Sequence, residues 1–167
     1  MTLDLEGIRA QYPSLSITDD GRPRLYFDNP AGTQVPEVVV QRMADCMLQA
    51  SANIGGYFTT SEQAADIVAD AREAMAALVN APSSDEIIFG QNMTALTFHM
   101  ARSIGRYFQP GDEIVLSRMD HDANVEPWRL MARDCGLKVR YLSFDTSTFE
   151  FDLSELDALL NDRTRLV

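Results

Sequence analysis

From residue 86 to the end, short apolar runs alternate with amphipathic stretches, and this rhythm narrows the possible folds more than any other feature. Glu86-Ile87-Ile88-Phe89, Glu113–Ser117 and Lys138–Leu142 read as strands, and Thr164–Val167 reads as the entry to a fourth. Between them lie three helical patterns. Leu96, Met100, Ser103, Ile104 and Tyr107 mark the first, which stops at Pro110-Gly111-Asp112. Trp128, Met131, Ala132 and Cys135 share a face of the second, and Gly136 offers it a C-cap. Asp152 and Glu155 open the third, with Leu153, Leu156, Leu159 and Leu160 inward. Strands alternating with helices predict an α/β fold, a parallel sheet with helices on both faces and right-handed crossovers. A buried parallel strand needs neighbours on both sides. The apolar run at 164–167 therefore leads us to expect a sheet that continues past Val167, so that the chain is cut within its domain.

The first 85 residues have a different character. Turn signals at Asp20-Gly21-Arg22-Pro23 and Asn29-Pro30-Ala31-Gly32 flank a strand-like Leu25-Tyr26-Phe27. A helix is expected after Pro36, with Val39, Met43, Cys46, Met47 and Ala50 on one face. The stretch Ala52 to Thr59 is a loop. Thr60 and Gln63 form a capping-box pattern for a long helix carrying Ile67, Val68, Ala71, Met75, Leu78 and Val79, which Asn80 and Pro82 end.

Composition removes several function classes. The formal net charge of −11 argues against nucleic-acid and anionic-membrane partners, whose phosphates need neutralising cations. No apolar run approaches the ~18 residues of a membrane span. Met1–Glu6 lacks the basic and apolar regions of a signal peptide, so a cytoplasmic protein is expected. Cys46 and Cys135 are far apart and read as buried reduced thiols rather than a disulfide or metal pair. His99 reads as a partly buried helix residue, and Lys138 is the single lysine in the chain.

In open parallel sheets ligands bind beyond the carboxyl ends of the strands. Two turns there are polar beyond what packing requires. In Gly90-Gln91-Asn92-Met93-Thr94, a helix N-terminus with a nearby hydroxyl could hold a phosphate, or Asn92 could simply be an N-cap. In Arg118-Met119-Asp120-His121-Asp122-Ala123-Asn124, His121 could act as acid, base, ligand or flat surface, or the segment could be a solvated loop.

The order of these motifs is similar to that of the cysteine desulfurase and class V aminotransferase family, fold-type I enzymes that use pyridoxal 5'-phosphate (PLP). Tyr26 to Pro36 resembles the N-terminal motif, Ile88 to Thr94 the phosphate-binding segment, and His121-Asp122-Ala123-Asn124-Val125-Glu126-Pro127-Trp128 the His-His-Ala-Asn-x-x-Pro-Trp motif. Pro110 to Ile114 and Arg163 to Val167 match in order and spacing. The resemblance implies an incomplete three-layer parallel-sheet large domain with an N-terminal helical segment. Residues 1–35 would belong to the small-domain, active-site side, and 36–167 would form the first part of the PLP-binding domain.

Asn92, Met93 and Thr94 would hold the cofactor phosphate, His121 would cover the pyridine ring, and Asn124 would line the pocket. Asn29, Ala31 and Gly32 would face the substrate. The loop with Phe58 would reach the active site of the other subunit of a homodimer. The resemblance also implies an amino acid substrate, carbon–sulfur lyase or transaminase chemistry and, in sulfur-mobilising members, a sulfur-acceptor protein. Three departures stand out: Asp122 replaces the second histidine, Phe58 stands where a histidine is common, and Met93-Thr94-Ala95 replaces Thr-Thr-Glu. These put cysteine as the substrate in question. The Schiff-base lysine is expected beyond Val167, because Lys138 begins a strand at the edge away from the crevice. The chain alone is then expected to be inactive and to expose sheet edges. Two other readings are a non-catalytic dimerisation module that keeps the fold, and a Rossmann-type nucleotide-binding domain, against which the missing GxGxxG counts.

Overall fold

A computed structural model describes residues 3–167; Met1 and Thr2, where the stretch read for a leader begins, lie outside them. The chain divides into two compact units, one ending at Ile88 and one running from Phe89 to Val167.

The first unit is mostly helical. Helix α1 (Leu5–Ala10) starts where the Asp4 carboxylate accepts the Gly7 amide at 3.0 Å. Strands β1 (Thr18–Asp19) and β2 (Arg22–Pro23) form a small antiparallel hairpin. Its turn residues, Asp20 and Gly21, both have positive φ (52° and 77°), the geometry that matches strand twist in two-residue hairpins. The turn signal at 20–23 thus makes the hairpin, whereas the strand expected at Leu25–Phe27 is absent. That segment has no ladder partner among the described residues, and the Tyr26 hydroxyl donates to the Ser14 carbonyl at 3.0 Å.

Helices α2 (Glu37–Gln49) and α3 (Thr59–Val79) follow. Helix α3 ends as expected at Asn80, which takes the left-handed conformation of a C-cap. Its start differs from the capping-box reading: Phe58 is the N-cap residue and makes no side-chain cap bond, so Thr60 lies within the helix. The faces expected to be buried are covered only in part. Ala50, Ser61, Ala64 and Ala76 are buried, but Val39, Met43, Met47, Leu78 and Val79 are exposed. The buried positions here are small residues, and no described residue of the unit covers the larger ones.

The second unit holds the sheet. Its elements are α4 (Met93–Gly105), β3 (Glu113–Ser117), α5 (Glu126–Cys135), β4 (Lys138–Leu142), α6 (Ser154–Leu159) and β5 (Thr164–Leu166). The three strands are parallel in the order β4-β3-β5, as the alternating pattern predicts. Glu113 pairs with Lys138 and Ser117 with Leu142, so β3 and β4 are in register along their full length. Ile114 and Val115 point to opposite faces of β3 and both are buried, which is why the strand is apolar throughout rather than alternating.

Ile114 and Leu116 pack with Ala101 of α4, Met131 and Ala132 of α5, and Leu137. Gly105 allows this approach: a Cβ there would meet Met131 Cγ at 2.7 Å. Gly136 caps α5 at φ 71°, as expected. Helix α6 begins at Ser154, two residues after Asp152, whose carboxylate accepts the Ser154 amide at 2.9 Å.

The strand expected at Glu86–Phe89 is not formed. Ser84–Glu86 is a 3-10 turn, and the following residues pair with no strand among the described residues. An apolar run becomes a strand only where a ladder partner satisfies its amides and carbonyls. His99, expected to be partly buried, is exposed, and Cys46 and Cys135 are half-buried free thiols.

At the amino end of β3 two buried carboxylates tie the strands together. Asp112 accepts the Gln109 amide at 2.9 Å and lies 3.4 Å from Arg165 Nε of β5 and 3.9 Å from Arg163 Nη1. Glu113 takes a charge-assisted bond from Arg140 of β4, accepts the Asn161 amide group at 2.8 Å, and lies 3.8 Å from Lys138 Nζ. The Gln109 amide, then Arg165 and Arg163, hold Asp112 below its usual range; Arg140, then Asn161, do the same for Glu113.

Both groups bind protons less readily in the folded chain than in the unfolded one. Their contribution is therefore complete above about pH 5 and is lost as pH falls through the lowered values. Denaturant midpoints should stay flat from pH 7 to 5 and drop below pH 4, and Glu113→Gln should reduce the drop; an unchanged pH slope in that variant contradicts the account. Ile114→Ala should cost about 2–5 kcal/mol in unfolding followed by Trp128 fluorescence. Ile88→Ala, at a position 77% exposed, should stay within about 0.5 kcal/mol.

Candidate functional site

The carboxyl end of β3 leads into a loop that is hydrogen-bonded along its length. The Arg118 amide donates to the Leu142 carbonyl at 3.1 Å, which extends the pairing with β4, and its guanidinium lies 4.7 Å from the Tyr141 ring centroid. Ser117 Oγ accepts the amides of Met119 (3.1 Å) and Asp120 (3.0 Å). This turns the chain sharply off the sheet.

The 3-10 turn Asp122–Asn124 follows, with His121 as its cap: His121 Nδ1 accepts the Ala123 amide at 3.1 Å. A ring nitrogen that accepts carries no proton, so Nε2 is the ring nitrogen left to donate. Asn124 Nδ2 donates to Asp120 Oδ1 and Trp128 Nε1 donates to Asn124 Oδ1, both at 3.4 Å. The loop is thus tied back to β3 at one end and to α5 at the other.

Ser117, Asp120, Asn124, Trp128, Leu142 and Val167 line a cleft of about 320 Å³ at the carboxyl ends of the three strands. Asn124, expected from the resemblance to line a cofactor pocket, is one of the residues of this lining. His121 is exposed on the same loop, outside the cleft lining. Ser117, Asp120 and Trp128 were not singled out as site residues. A serine ending a strand two and three residues before unpaired amides is a turn-forming signal that could have found Ser117.

The second polar turn is the start of α4. Asn92 is its N-cap, its Oδ1 accepting the Ala95 amide at 2.8 Å. The cap reading is therefore correct, and it leaves the phosphate reading intact. The amides of Met93 and Thr94 donate to no protein acceptor among the described residues, and Thr94 is exposed with its hydroxyl uncommitted. No acidic side chain lies in the first turn to occupy the positive end of the helix dipole. Helix α4 also packs against the Asp122–Asn124 turn.

The remaining candidates belong to the first unit. Asn29, Ala31 and Gly32 form an exposed turn in which the Ala31 and Gly32 amides donate to the Asp28 carbonyl at 3.1 and 3.3 Å. Phe58 is exposed at the start of α3. Lys138 lies at the amino end of β4, beside Glu113 and four residues of strand from the cleft end, roughly 13 Å away. No group of His, Cys, Asp and Glu among the described residues could hold a metal ion, and no described helix is long and apolar enough to cross a membrane.

Comparison with known proteins gives this arrangement a family. The aminotransferase class-V family model matches residues 25–167. The chain is 37% identical over 165 residues to the cysteine desulfurase of Dickeya dadantii (strain 3937), a match that covers 98% of this chain and 40% of that protein. The crystal structure of the cysteine desulfurase CsdA (S-sulfonic acid) from Escherichia coli aligns with a TM-score of 0.78 at 28% identity, over 99% of this chain and 41% of the other. The apo cysteine desulfurase of Thermococcus onnurineus NA1 aligns with a TM-score of 0.83 at 25% identity, over 99% and 40%. The chain thus spans about two-fifths of the length of these relatives. Its fold is the one expected, an incomplete α/β large domain of the fold-type I kind with a helical N-terminal segment. With a family match running from residue 25 to the last residue and the same fold in both solved relatives, the chain belongs to the aminotransferase class-V family and is similar to its cysteine desulfurases.

Proposed function

We propose that this chain provides the phosphate-holding and ring-facing part of a PLP-dependent enzyme that acts on an amino acid, by carbon–sulfur lyase or transaminase chemistry in the whole protein. The observation that carries the proposal is the pairing of two features in one unit. The N-terminus of α4 has two free amides, and beside α4 lies a bonded loop that presents His121 and Asn124. The donor set fits a phosphate monoester: two backbone amides, the Thr94 hydroxyl and the positive end of a helix dipole, with no acidic side chain in the first turn of the helix.

Asn92 keeps the first turn in shape by occupying the Ala95 amide, so that the Met93 and Thr94 amides are the ones left to bind. His121, its Nδ1 held by the Ala123 amide, offers a flat ring face to the cofactor. Asn124 presents its amide to the cleft, with its orientation set by Asp120 and Trp128. When bound, PLP supplies an electron sink for negative charge at the α-carbon of an amino acid. No residue here is assigned the covalent bond to the cofactor, since Lys138 is at the other end of the strand.

The finer assignments follow the family resemblance. Asn29, Ala31, Gly32 and Phe58 serve the substrate side. Residues 1–35 act with that side, and 36–167 act with the cofactor. The working form is a cytoplasmic homodimer, with a sulfur-acceptor protein where the chemistry releases sulfur. Phe58 and Asp122 in place of histidines leave open which amino acid is the substrate.

Equilibrium dialysis tests the assignment. The chain should retain PLP, inorganic phosphate should compete for it, and Thr94→Ala should weaken retention about tenfold, the effect of one bond to a charged oxygen. Equal retention by the Thr94→Ala variant contradicts it. Borohydride treatment of the mixture should leave Lys138 unmodified in the mass spectrum, and a reduced adduct there would overturn the assignment of the two sheet ends.

A further inference from the structure

Ser61 is a polar residue with none of its surface exposed, in the first turn of α3. Its hydroxyl donates to the Asn53 carbonyl at 2.7 Å and accepts the Gly56 amide at 2.8 Å. Both bonds go to the loop that precedes the helix, and its side chain takes no part in capping, since α3 begins at Phe58 without a side-chain cap bond. One backbone angle and one contact further define the loop. Gly55 has a φ of 96°, and the Phe58 ring lies over Gly56, where a Cβ would come within 2.4 Å of Phe58 Cε1.

What this loop presents is apolar. Ile54, Tyr57 and Phe58 are exposed, Tyr57 completely so, and residues 51–61 carry no charged side chain. Alanine at position 61 would suit the helix at least as well, because serine has the lower helix propensity. It would instead leave a loop amide and a loop carbonyl without partners. The buried hydroxyl therefore serves the shape of the loop rather than the helix.

We propose that Ser61 is a positioning residue that holds the Asn53–Phe58 loop in one backbone conformation, so that Tyr57 and Phe58 meet the amino acid substrate in a fixed orientation. The substrate half of this statement rests on the function proposed above; the loop half does not. The test uses the whole protein of which this chain is proposed to be a part, with the segment that carries the Schiff-base lysine, bearing Ser61→Ala or Ser61→Thr, the second of which keeps the hydroxyl.

Hydrogen exchange read by mass spectrometry should show protection of the Gly56 amide falling at least about tenfold in Ser61→Ala, with residues 65–79 of α3 unchanged. In the PLP-loaded protein, Ser61→Ala should raise KM for the amino acid substrate about tenfold while kcat stays within about twofold. Ser61→Thr should return both readings toward the parent. Unchanged exchange at Gly56 in Ser61→Ala overturns the proposal, as does loosening of α3 together with the loop, which would mark a general structural role. If the two readings separate, with exchange altered and KM unchanged, the link to substrate is wrong. Failure of the loaded protein to turn over any amino acid sinks the functional reading and the substrate half with it, while the exchange data still decide what Ser61 does to the loop.

Discussion

The burial of β3 between β4 and β5 is the constraint on which the second unit depends. Its central residues are shielded on both faces, and its two ends do different work. At the amino end, Asp112 and Glu113 are out of water and are matched by Arg140 and Lys138 on one side and Arg163 and Arg165 on the other. Buried carboxylates left alone would carry a large desolvation cost, so the cations of the flanking strands are required where they are. That fixes which strands lie beside β3 and in what register. At the carboxyl end the polar groups serve a different purpose. They shape a loop and a cleft instead of closing a core.

This polarity explains how one short strand supports a candidate site at its carboxyl end. Ser117 accepts the amides of Met119 and Asp120 where the chain leaves the sheet, and Arg118 continues the pairing with β4. The residues that follow are held by bonds within the loop and to α5 and do not depend on a ligand for their order. Preorganisation of this kind lowers the entropy lost when a ligand binds. The same logic holds in the first unit, where a single buried hydroxyl organises a loop of small and aromatic residues.

Much of this was legible in the amino acids, and the exceptions share a cause. Asn92, Asn80 and Gly136 mark helix ends by local rules, and all three do so in the structure. The parallel order follows from the alternation of strands and helices. Glu86–Phe89 and Leu25–Phe27 have strand-like composition but no ladder partner, and partners are a non-local property that composition does not carry. The exposed face of α2 fails for the same reason: periodicity shows which side is apolar, not what covers it. At the candidate site, the motif names Asn124, whereas Ser117 and Asp120 shape the loop through bonds that only the fold reveals. Ser61 was hidden by the neighbouring capping-box pattern, because its partners lie five and eight residues away in a loop.

The central claim is that the carboxyl-end face of the sheet, and not the cationic amino end, receives the phosphate of PLP. Amide chemical shifts of the isotopically labelled chain, followed during titration with PLP, test it most directly. The account predicts that the Met93 and Thr94 amides move first and together, with the Trp128 indole and the Ala123 amide following as the ring settles. Shifts centred on Lys138, Arg140 and Arg163, with Met93 and Thr94 unmoved, would contradict it.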